Sequence, residues 1–379
     1  MLVSNNLRNL IFRLFWNPGE KRALDGVAFG RKVVESRERS WREEAEDSIL
    51  LKAVSHWRED HESWFAGSYD RLPETLRVNP QSPEKEWVES WLDGIGASRI
   101  PWFSGPGSAW EMPFERGSAL GETKKIMTAL HDTGRVTRQE AVSMLPVLAL
   151  DPSPGERILD LCASPGSKTT QICEHLGDSG AVIANEVISG RVNTLVTNVQ
   201  RHGSRSAVVV HHDGRHFPKV PGDGFDGVLV DVPCTGSGTT RKNPDVWSKW
   251  KPSAGRSLHT MQFDILRRAI AVTKVGGRIV YSTCSLDPVE NEAVVSRALA
   301  EGKVRMVPSR ELLPGVPSED GVSDWPCLDD SGELSEWDTL EENIITPQYG
   351  GIYSQLRNCF PVWNQSLINK NQPTTPYAI

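Results

Sequence analysis

Beyond Gly155, short apolar segments alternate with longer stretches in which apolar residues recur at helical spacing. The short segments are rich in β-branched residues and end in turn signals, a pattern that is typical of buried strands. Strands are predicted near Arg157 to Leu161, Ala181 to Asn185, Ala207 to Val210, Gly227 to Val230 and Arg278 to Ser282. Helices are predicted over Thr169 to Leu176, Arg191 to Gln200 and Leu258 to Val272. This βαβ repetition predicts an α/β domain with a parallel sheet and helices on both faces.

The residues before Gly155 carry a different pattern. A brief alternating strand is predicted at Glu74 to Pro80, and the adjacent Ser82-Pro83 predicts the N-cap and first position of a helix. A second strand is expected near Arg99 to Phe103, followed by a loop over Gly105 to Gly117. These elements predict a small α+β unit that is separate from the large domain.

The chain is therefore expected to have four parts: an N-terminal helical region at 1–70, the small α+β domain at 71–130, the large α/β domain at 131–365 and a polar tail at 366–379. The first sixteen residues hold two arginines, no acid and apolar residues at helical spacing. They fit an ordinary amphipathic helix or a mitochondrial presequence.

Composition and charge leave a nucleic-acid partner open. The chain has 379 residues, of which 38% are hydrophobic and 24% charged, and no apolar run is long enough to span a bilayer. Its formal net charge is −7, but eleven acidic residues and no basic ones fall between Glu311 and Ile345, so the remainder carries +4. Because phosphate attraction is screened over roughly 10 Å, the local charge decides such binding.

The six cysteines show neither the CxxC spacing of a zinc site nor the density of a disulfide scaffold. We expect free thiols in a reducing compartment and no metal. A cytoplasmic location is predicted, with a nucleus or mitochondrion as alternatives. Of the six, Cys162, Cys173, Cys327 and Cys359 fit small buried apolar residues.

Acidic side chains follow successive strands of the predicted sheet. The first strand runs through Asp160 into a Pro-Gly turn and a helix, without the spacing of a P-loop or of GxGxxG. Glu186 lies 26 residues further on, where doubly wound proteins place an acid on a ribose hydroxyl. Asp213 and Asp231 follow the third and fourth strands. The carboxyl ends of parallel strands meet at one sheet edge, so Glu186, Asp213 and Asp231 predict a nucleotide-like site there.

Two further cysteines follow strands at the same edge. Cys234 stands between Pro233 and a glycine-rich loop, and Cys284 follows the strand that ends at Ser282. A thiolate and a nearby acid beside an adenosine-type cofactor suit methylation of a pyrimidine at carbon 5, because that carbon is a poor nucleophile until a thiolate adds to carbon 6. A second group must then assist removal of the proton from carbon 5.

The sequence resembles the Sun-domain family of RNA 5-methylcytosine methyltransferases, and within it the branch that modifies tRNA. The resemblance covers roughly Leu72 to Leu299. The matching segments are Arg77 to Asn79, Arg138 to Met144, Asp160 to Gln171, Asp231 to Gly236, Arg241 to Asn243 and Tyr281 to Leu286. It implies a Rossmann-like methyltransferase domain that binds S-adenosylmethionine, preceded by a small RNA-binding domain, and a monomer that acts on tRNA.

The resemblance also implies a role for each matching position. The S-adenosylmethionine pocket would be lined by Cys162, Ala163, Ser164, Pro165, Gly166, Ser167 and Lys168. Glu186, where the family usually has Asp, would hold the ribose hydroxyls, and Asp213 would accept from the adenine amino group. Asp231, with Lys168 nearby, would hydrogen-bond the target cytosine and would also belong to the cofactor-binding residues. Cys284 would be the nucleophile, and Cys234 would assist proton removal and product release.

A basic segment with two tryptophans, Gly238 to Lys251, follows Cys234. Its cations, predicted to contact RNA, are Arg241, Lys242, Lys249 and Lys251. Trp247 and Trp250 lie between them and predict a surface on which an unpaired base stacks. The alternative is an ordinary solvated helix face.

The end of the chain departs from the family pattern, which finishes with a Gly-Gly-Phe-Phe strand that completes the sheet. After Trp363 this chain continues into polar residues, so the sequence predicts a sheet without its last strand. Three other functions stay open at this point. They are methylation of rRNA, a DNA cytosine methyltransferase whose nucleophile is Cys234, and a non-catalytic RNA-binding or assembly factor on the same fold.

Overall fold

A computed structural model describes residues 41–220, 222–318, 321–322 and 324–336, and the backbone of residues 365–370. The described residues from Glu44 onward belong to one compact unit. The amphipathic segment predicted at the first sixteen residues lies outside the described part. Within that part, no helix is both long and apolar enough to span a membrane.

Two helices, α1 (Ile49–Trp57) and α2 (His61–Gly67), precede a four-stranded antiparallel sheet. The sheet has the order β2-β3-β1-β4. Its elements are β1 (Pro73–Val78), α3 (Lys85–Gly94), β2 (Ser98–Arg99), β3 (Ser108–Glu115), α4 (Gly121–Asp132) and β4 (Val136–Arg138). The small sheet thus extends past the predicted boundary at residue 130.

Two predictions in this region are wrong. The longest strand of the small sheet, Ser108–Glu115, lies within the predicted loop. It forms because Ala109, Trp110 and Met112 are buried in the core of the small sheet and Trp110 pairs with Leu76. Helix α3 begins at Lys85 rather than at Pro83. Ser82 instead accepts a hydrogen bond from the Glu84 amide in the turn before the helix.

The larger sheet confirms the predicted α/β fold. A short 3₁₀ helix, Ala141–Met144, leads to α5 (Leu145–Leu150), and the alternating elements then begin. Those elements are β5 (Arg157–Asp160), α6 (Ser167–Leu176), β6 (Ala181–Asn185), α7 (Ser189–His202), β7 (Ala207–Val210), β8 (Phe225–Asp231), α8 (Val246–Lys249), α9 (Pro252–Val272), β9 (Thr273–Ser282), α10 (Glu292–Ala300), β10 (Val304–Val307), α11 (Ser309–Leu312), β11 (Cys327–Leu328), β12 (Leu334–Ser335) and β13 (Gln365–Lys370).

The seven strands have the order β10-β13-β9-β8-β5-β6-β7. Strands β5 to β9 pair in parallel, and their central residues, such as Leu159 and Val228, are fully buried because helices cover both faces. Strand β13 lies antiparallel between β9 and β10. The prediction that the sheet lacks its last strand is therefore wrong: residues 365–370, which include the start of the predicted tail at 366–379, supply it.

The small sheet is joined to the large domain by a buried ion pair. Arg77 on β1 donates from Nε and Nη2 to the two carboxylate oxygens of Glu174 on α6, both at 2.9 Å, and neither side chain is exposed. Arg77 also donates to the carbonyl oxygen of Ser167 and the hydroxyl of Thr170, each at 3.3 Å. One arginine of the small sheet therefore holds the first turn of the helix that follows β5.

Candidate active site

The carboxyl ends of the parallel strands carry the predicted site residues. Asp160 ends β5 and Asp231 ends β8, the neighbouring strand, while Cys284 follows β9 by two residues. Glu186 and Asp213 follow β6 and β7. Because these strands are parallel neighbours, the residues share one edge of the sheet, where open α/β sheets bind their ligands.

The structure brings the two cysteines into contact, with their Sγ atoms 3.3 Å apart. A hydrogen bond from the Cys234 thiol lowers the pKa of Cys284 against the opposing effects of burial and the Asp231 carboxylate, and the charges of Lys242 and Lys168 also lower it. The same hydrogen bond, burial and the nearby Glu290 carboxylate raise the pKa of Cys234. Cys284 is therefore the sulfur that the site favours as a thiolate, and Cys234 is its hydrogen-bond donor.

Asp231 is held between a cation and a hydroxyl. Lys168 Nζ lies 2.8 Å from its Oδ2, and Ser282 Oγ donates to its Oδ1 at 2.7 Å. Burial opposes the charge of Lys168, but the attraction and hydrogen bond of Asp231 outweigh it and raise the pKa of the lysine. The pair thus places a protonated amine and a carboxylate beside Cys284.

The loop between β5 and α6 has the form of a ligand cradle. Gly166 has a φ of +108°, and a Cβ at this position would lie 2.9 Å from Leu195, so only glycine fits without a shift. Side chains of α7 satisfy the loop carbonyls: Arg191 donates to Ser164 at 2.8 Å and Asn198 to Pro165 at 2.6 Å. The loop therefore follows a fixed path. Burial raises the pKa of the Cys162 thiol, so this cysteine stays neutral.

Asp160, which the sequence analysis did not assign to the site, is completely buried below this loop. Its Oδ2 accepts from the Thr169 hydroxyl at 2.6 Å, whereas its Oδ1 has no hydrogen-bond partner among the described residues. Burial raises the pKa of Asp160 to about 7. A buried carboxyl oxygen without a partner suits a cationic or hydrogen-bonding ligand, such as the amino acid end of S-adenosylmethionine.

Glu186 and Asp213, the acids that follow β6 and β7, differ in the partners that their carboxylates already have. Glu186 is buried and accepts from the Ile188 amide at 2.8 Å through one oxygen, while its other oxygen lies 3.6 Å from Arg191. Asp213 receives the Arg215 guanidinium at 2.6 Å, and hydrogen bonds from Arg215 lower its pKa to about 2. Glu186 thus keeps capacity for a pair of hydroxyls, and Asp213 is a carboxylate already paired with an arginine. With the Gly166 turn and Asp160, these acids fit an adenosine cofactor.

Glu290 is a second residue that sequence reasoning missed. It is fully buried, and its Oε1 accepts from the Thr235 amide and from Gln262, both at 2.9 Å. Its Oε2 accepts from the hydroxyls of Thr235 and Ser285. One carboxylate therefore ties the residue after Cys234 to the residue after Cys284. Its only signal in the sequence is an acid a few residues after the second cysteine.

The basic segment after Cys234 only partly matches its prediction. Of its four cations, Lys242 faces the site and pairs with Glu140 at 2.9 Å. Arg241 donates to the carbonyl oxygen of Asp70 at 2.6 Å, Lys249 pairs with Asp245 at 2.7 Å, and Lys251 is exposed.

The tryptophans of this segment are not a stacking surface. Trp247 is 1% exposed and packs edge-on against Trp64 and Phe65 of α2. Trp250 is 4% exposed, packs against Trp57 of α1 and donates from Nε1 to the Thr235 hydroxyl at 3.1 Å. The prediction that they stack on RNA bases is wrong, because helices about 180 residues earlier in the chain cover them.

A cavity of about 650 Å³ opens onto Cys284, Asp231 and Lys168. Its other walls come from β4 and the residues after it, the Gly166 loop and the end of α7. Neither Glu186 nor Asp213 lines it. The cavity therefore reaches the reactive groups without including those two acids, and its volume suits a base with part of its backbone.

The fold and this strand-edge site define the class as the S-adenosylmethionine-dependent methyltransferases. A solved structure of that description, a methyltransferase homolog protein from Pyrococcus horikoshii, superimposes with a TM-score of 0.60 at 28% identity, over 84% of this chain and 93% of that chain. Residues 147–321 match the family model described as 16S rRNA methyltransferase RsmB/F. The resemblance inferred from the motifs is confirmed.

The chain is also similar to curated RNA methyltransferases. The multisite-specific tRNA:(cytosine-C(5))-methyltransferase of Saccharomyces cerevisiae is 37% identical over 289 residues, which is 70% of this chain and 42% of that protein. Ribosomal RNA small subunit methyltransferase F of Escherichia coli is 38% identical over 272 residues, 69% of this chain and 55% of that protein. The chain thus spans less than two thirds of the relatives' length.

Proposed function

We propose that this protein is an S-adenosylmethionine-dependent RNA cytosine-5 methyltransferase that acts on tRNA, with Cys284 as its nucleophile. The observation that carries the proposal is the contact of the two sulfurs beside the Lys168–Asp231 pair, at the cofactor edge of a methyltransferase sheet. The tRNA methyltransferase named above supports tRNA as the substrate. The rRNA methyltransferase supports rRNA as the alternative.

When bound, S-adenosylmethionine supplies a methyl group on a positively charged sulfur. The Cys284 thiolate forms a bond to carbon 6 of the cytosine, and the electron pair of the ring double bond moves to carbon 5, which takes the methyl group. Loss of the carbon 5 proton to water then restores the double bond, while the bond from carbon 6 to Cys284 breaks and its electrons return to the sulfur. The target base must be unstacked first, at a cost of a few kcal/mol.

The neighbouring residues suit the supporting roles. Asp231 accepts from the exocyclic amino group of the cytosine, and protonated Lys168 holds Asp231 in place. Cys234, whose thiol lies 3.3 Å from the departing sulfur, donates the hydrogen bond that stabilises the returning thiolate. Cys234 therefore stabilises the Cys284 thiolate both before attack and at release, and without Cys234 the charges of Lys242 and Lys168 still favour that thiolate for attack. A monomer, the lack of a metal requirement and a cytoplasmic location stay predictions.

Comparing two single variants tests this assignment. We expect Cys284→Ala to abolish transfer of labelled methyl groups to tRNA and to form no covalent RNA adduct. Cys234→Ala should instead accumulate the adduct, visible as a slower band on a denaturing gel, because attack continues while release is slowed. The opposite result, an adduct in Cys284→Ala and none in Cys234→Ala, would favour the DNA-type mechanism in which Cys234 attacks.

Binding of S-adenosylmethionine, measured by calorimetry, serves as the folding control for both variants. It also tests the non-catalytic alternative, which predicts no heat of binding. The sheet includes its last strand, β13, so an incomplete fold does not support that alternative. Assays with transcribed tRNA and with small-subunit rRNA separate the two RNA substrates.

A further inference from the structure

The charges around the cavity beside Cys284 do not balance. Five of its lining residues are Lys or Arg and three are Asp or Glu. Each carboxylate already has a cation: Glu74 pairs with Arg138 at 2.7 Å, Glu140 with Lys242 at 2.9 Å and Asp231 with Lys168 at 2.8 Å. The two remaining cations are Arg116 and Arg201. Within the described part of the chain, neither has a carboxylate at ion-pair distance.

These two arginines stand on different walls. Arg116 is exposed in the loop after β3 of the small sheet, near Glu74, whose carboxylate Arg138 already occupies. Arg201 lies in the last turn of α7 in the methyltransferase domain and is half-buried. The small sheet and the large domain therefore each contribute one surplus positive charge to one cavity.

Arg201 is held in place by a chain of hydrogen bonds that starts at the cofactor loop. Asn198 donates from Nδ2 to the Pro165 carbonyl at 2.6 Å, and its Oδ1 accepts from Arg201 Nη2. The asparagine is neutral, so the positive charge of Arg201 remains available. A guanidinium fixed in this way loses little side-chain entropy when it binds a phosphate.

The position of the cavity shows where an RNA strand can reach Cys284. It contains Cys284 and Asp231 but neither Glu186 nor Asp213, so the acids predicted to hold the ribose and the adenine lie outside it, and it meets the cofactor pocket at residues 165–168. The alternative RNA contact, the segment after Cys234, offers less to this cavity: of its four predicted cations only Lys242 lines it, already paired with Glu140, and its tryptophans are buried.

We propose that the RNA strand enters between the small sheet and the methyltransferase domain, and that Arg116 and Arg201 bind phosphates flanking the target cytidine. This inference rests on the proposed function for its substrate class. Phosphate contacts fix the register of a nucleic acid without reading its sequence. The two arginines therefore position the RNA strand, and Cys284 and Asp231 act on the extruded base.

The test is equilibrium binding of a transcribed tRNA to the full chain, measured over a range of salt concentrations. Arg116→Ala and Arg201→Ala should each raise the Kd roughly tenfold at moderate salt. Each should also reduce the slope of log K against log salt by about 0.7, the contribution of one phosphate on a single strand. Calorimetric affinity for S-adenosylmethionine should stay unchanged, which controls for folding, and Arg201→Lys should recover part of the RNA affinity.

Matched controls remove an exposed cation elsewhere. Lys125→Ala on the small domain and Arg267→Ala on α9 line no part of the cavity and should bind RNA like the unmodified chain. Unchanged Kd and salt slope in Arg116→Ala and Arg201→Ala would overturn the strand path, most directly if Lys249→Ala weakened binding instead. If both arginine variants weaken binding but the unmodified chain transfers no methyl group to RNA, the result supports the proposed RNA path and contradicts the proposed methyl transfer.

Discussion

At the scale of single residues, the environment of each sulfur and carboxyl group decides its chemistry. The hydrogen bond between Cys284 and Cys234 lowers the pKa of Cys284 and raises that of Cys234, and nearby lysines and the Glu290 carboxylate add to these shifts, so two thiols 3.3 Å apart favour opposite protonation states. Their convergence was predictable from the sequence, because both follow strands whose carboxyl ends meet. Glu290 was not predictable, since its role depends on a contact with Thr235, 55 residues earlier.

Asp160 makes the stability of the protein depend on pH. Burial raises its pKa from an ordinary value of 3.8 to about 7, against the effect of the Thr169 hydrogen bond. Between these values the folded chain keeps a proton that the unfolded chain has lost, so the contribution of Asp160 to stability decreases as pH rises through this window. Asp160→Asn removes that dependence.

We therefore expect the free energy of unfolding of Asp160→Asn, relative to the unmodified chain, to rise by on the order of 3 kcal/mol between pH 4 and pH 8. Urea unfolding at closely spaced pH values measures the difference. Glu292 is also buried, with its pKa raised to about 7, so the difference between chains is informative and the absolute curve is not. A difference that is constant with pH would show that Asp160 is ionised in the folded protein.

At the scale of secondary-structure elements, hydrophobic periodicity predicted the helices and strands whose burial pattern is contained in their own residues. All five predicted parallel strands are present, and each is apolar on both faces. Strands β3 and β13 were missed because pairing with distant segments decides them: β3 contains Pro113 and follows two glycines, and β13 is a polar segment inserted between β9 and β10. Pairing partners that are remote in sequence leave no periodic signal.

Contact between the small sheet and α7 depends on one glycine. Gly134 has a φ of +72°, and a Cβ there would lie 2.1 Å from the carbonyl oxygen of Arg201. Gly117 has a similar φ of +78° but no atom within 4 Å of such a Cβ. Gly117→Ala should therefore lower the free energy of unfolding only by the backbone strain, about 1 kcal/mol. Gly134→Ala should lower it by at least about 2 kcal/mol more, because the added Cβ also meets the carbonyl oxygen of Arg201. Equal losses in urea unfolding would mean that the two elements separate freely.

At the scale of the whole molecule, the site lies where the small sheet meets the methyltransferase domain. Arg77 reaches from β1 to Glu174 and to the first turn of α6, which carries Lys168. His202, at the end of α7, also contacts Glu174 at 3.2 Å. The same buried group therefore connects the small sheet, the cofactor loop and the wall that carries Arg201. Sequence motifs marked Arg77 but could not show its partner, which lies 97 residues away.

Removing Arg77 should destabilise this junction through the charge that it leaves behind. Burial disfavours the Glu174 carboxylate, but the charge of Arg77 outweighs it and lowers the pKa of Glu174. Arg77→Met should therefore cost roughly 3 to 5 kcal/mol near neutral pH, and the double variant Arg77→Met/Glu174→Met should recover a large part of it. The deficit of the single variant should shrink as pH falls, because protonation neutralises the stranded Glu174. If the double variant is no more stable than Arg77→Met in urea unfolding, the loss comes from packing at the junction and not from the unpaired charge.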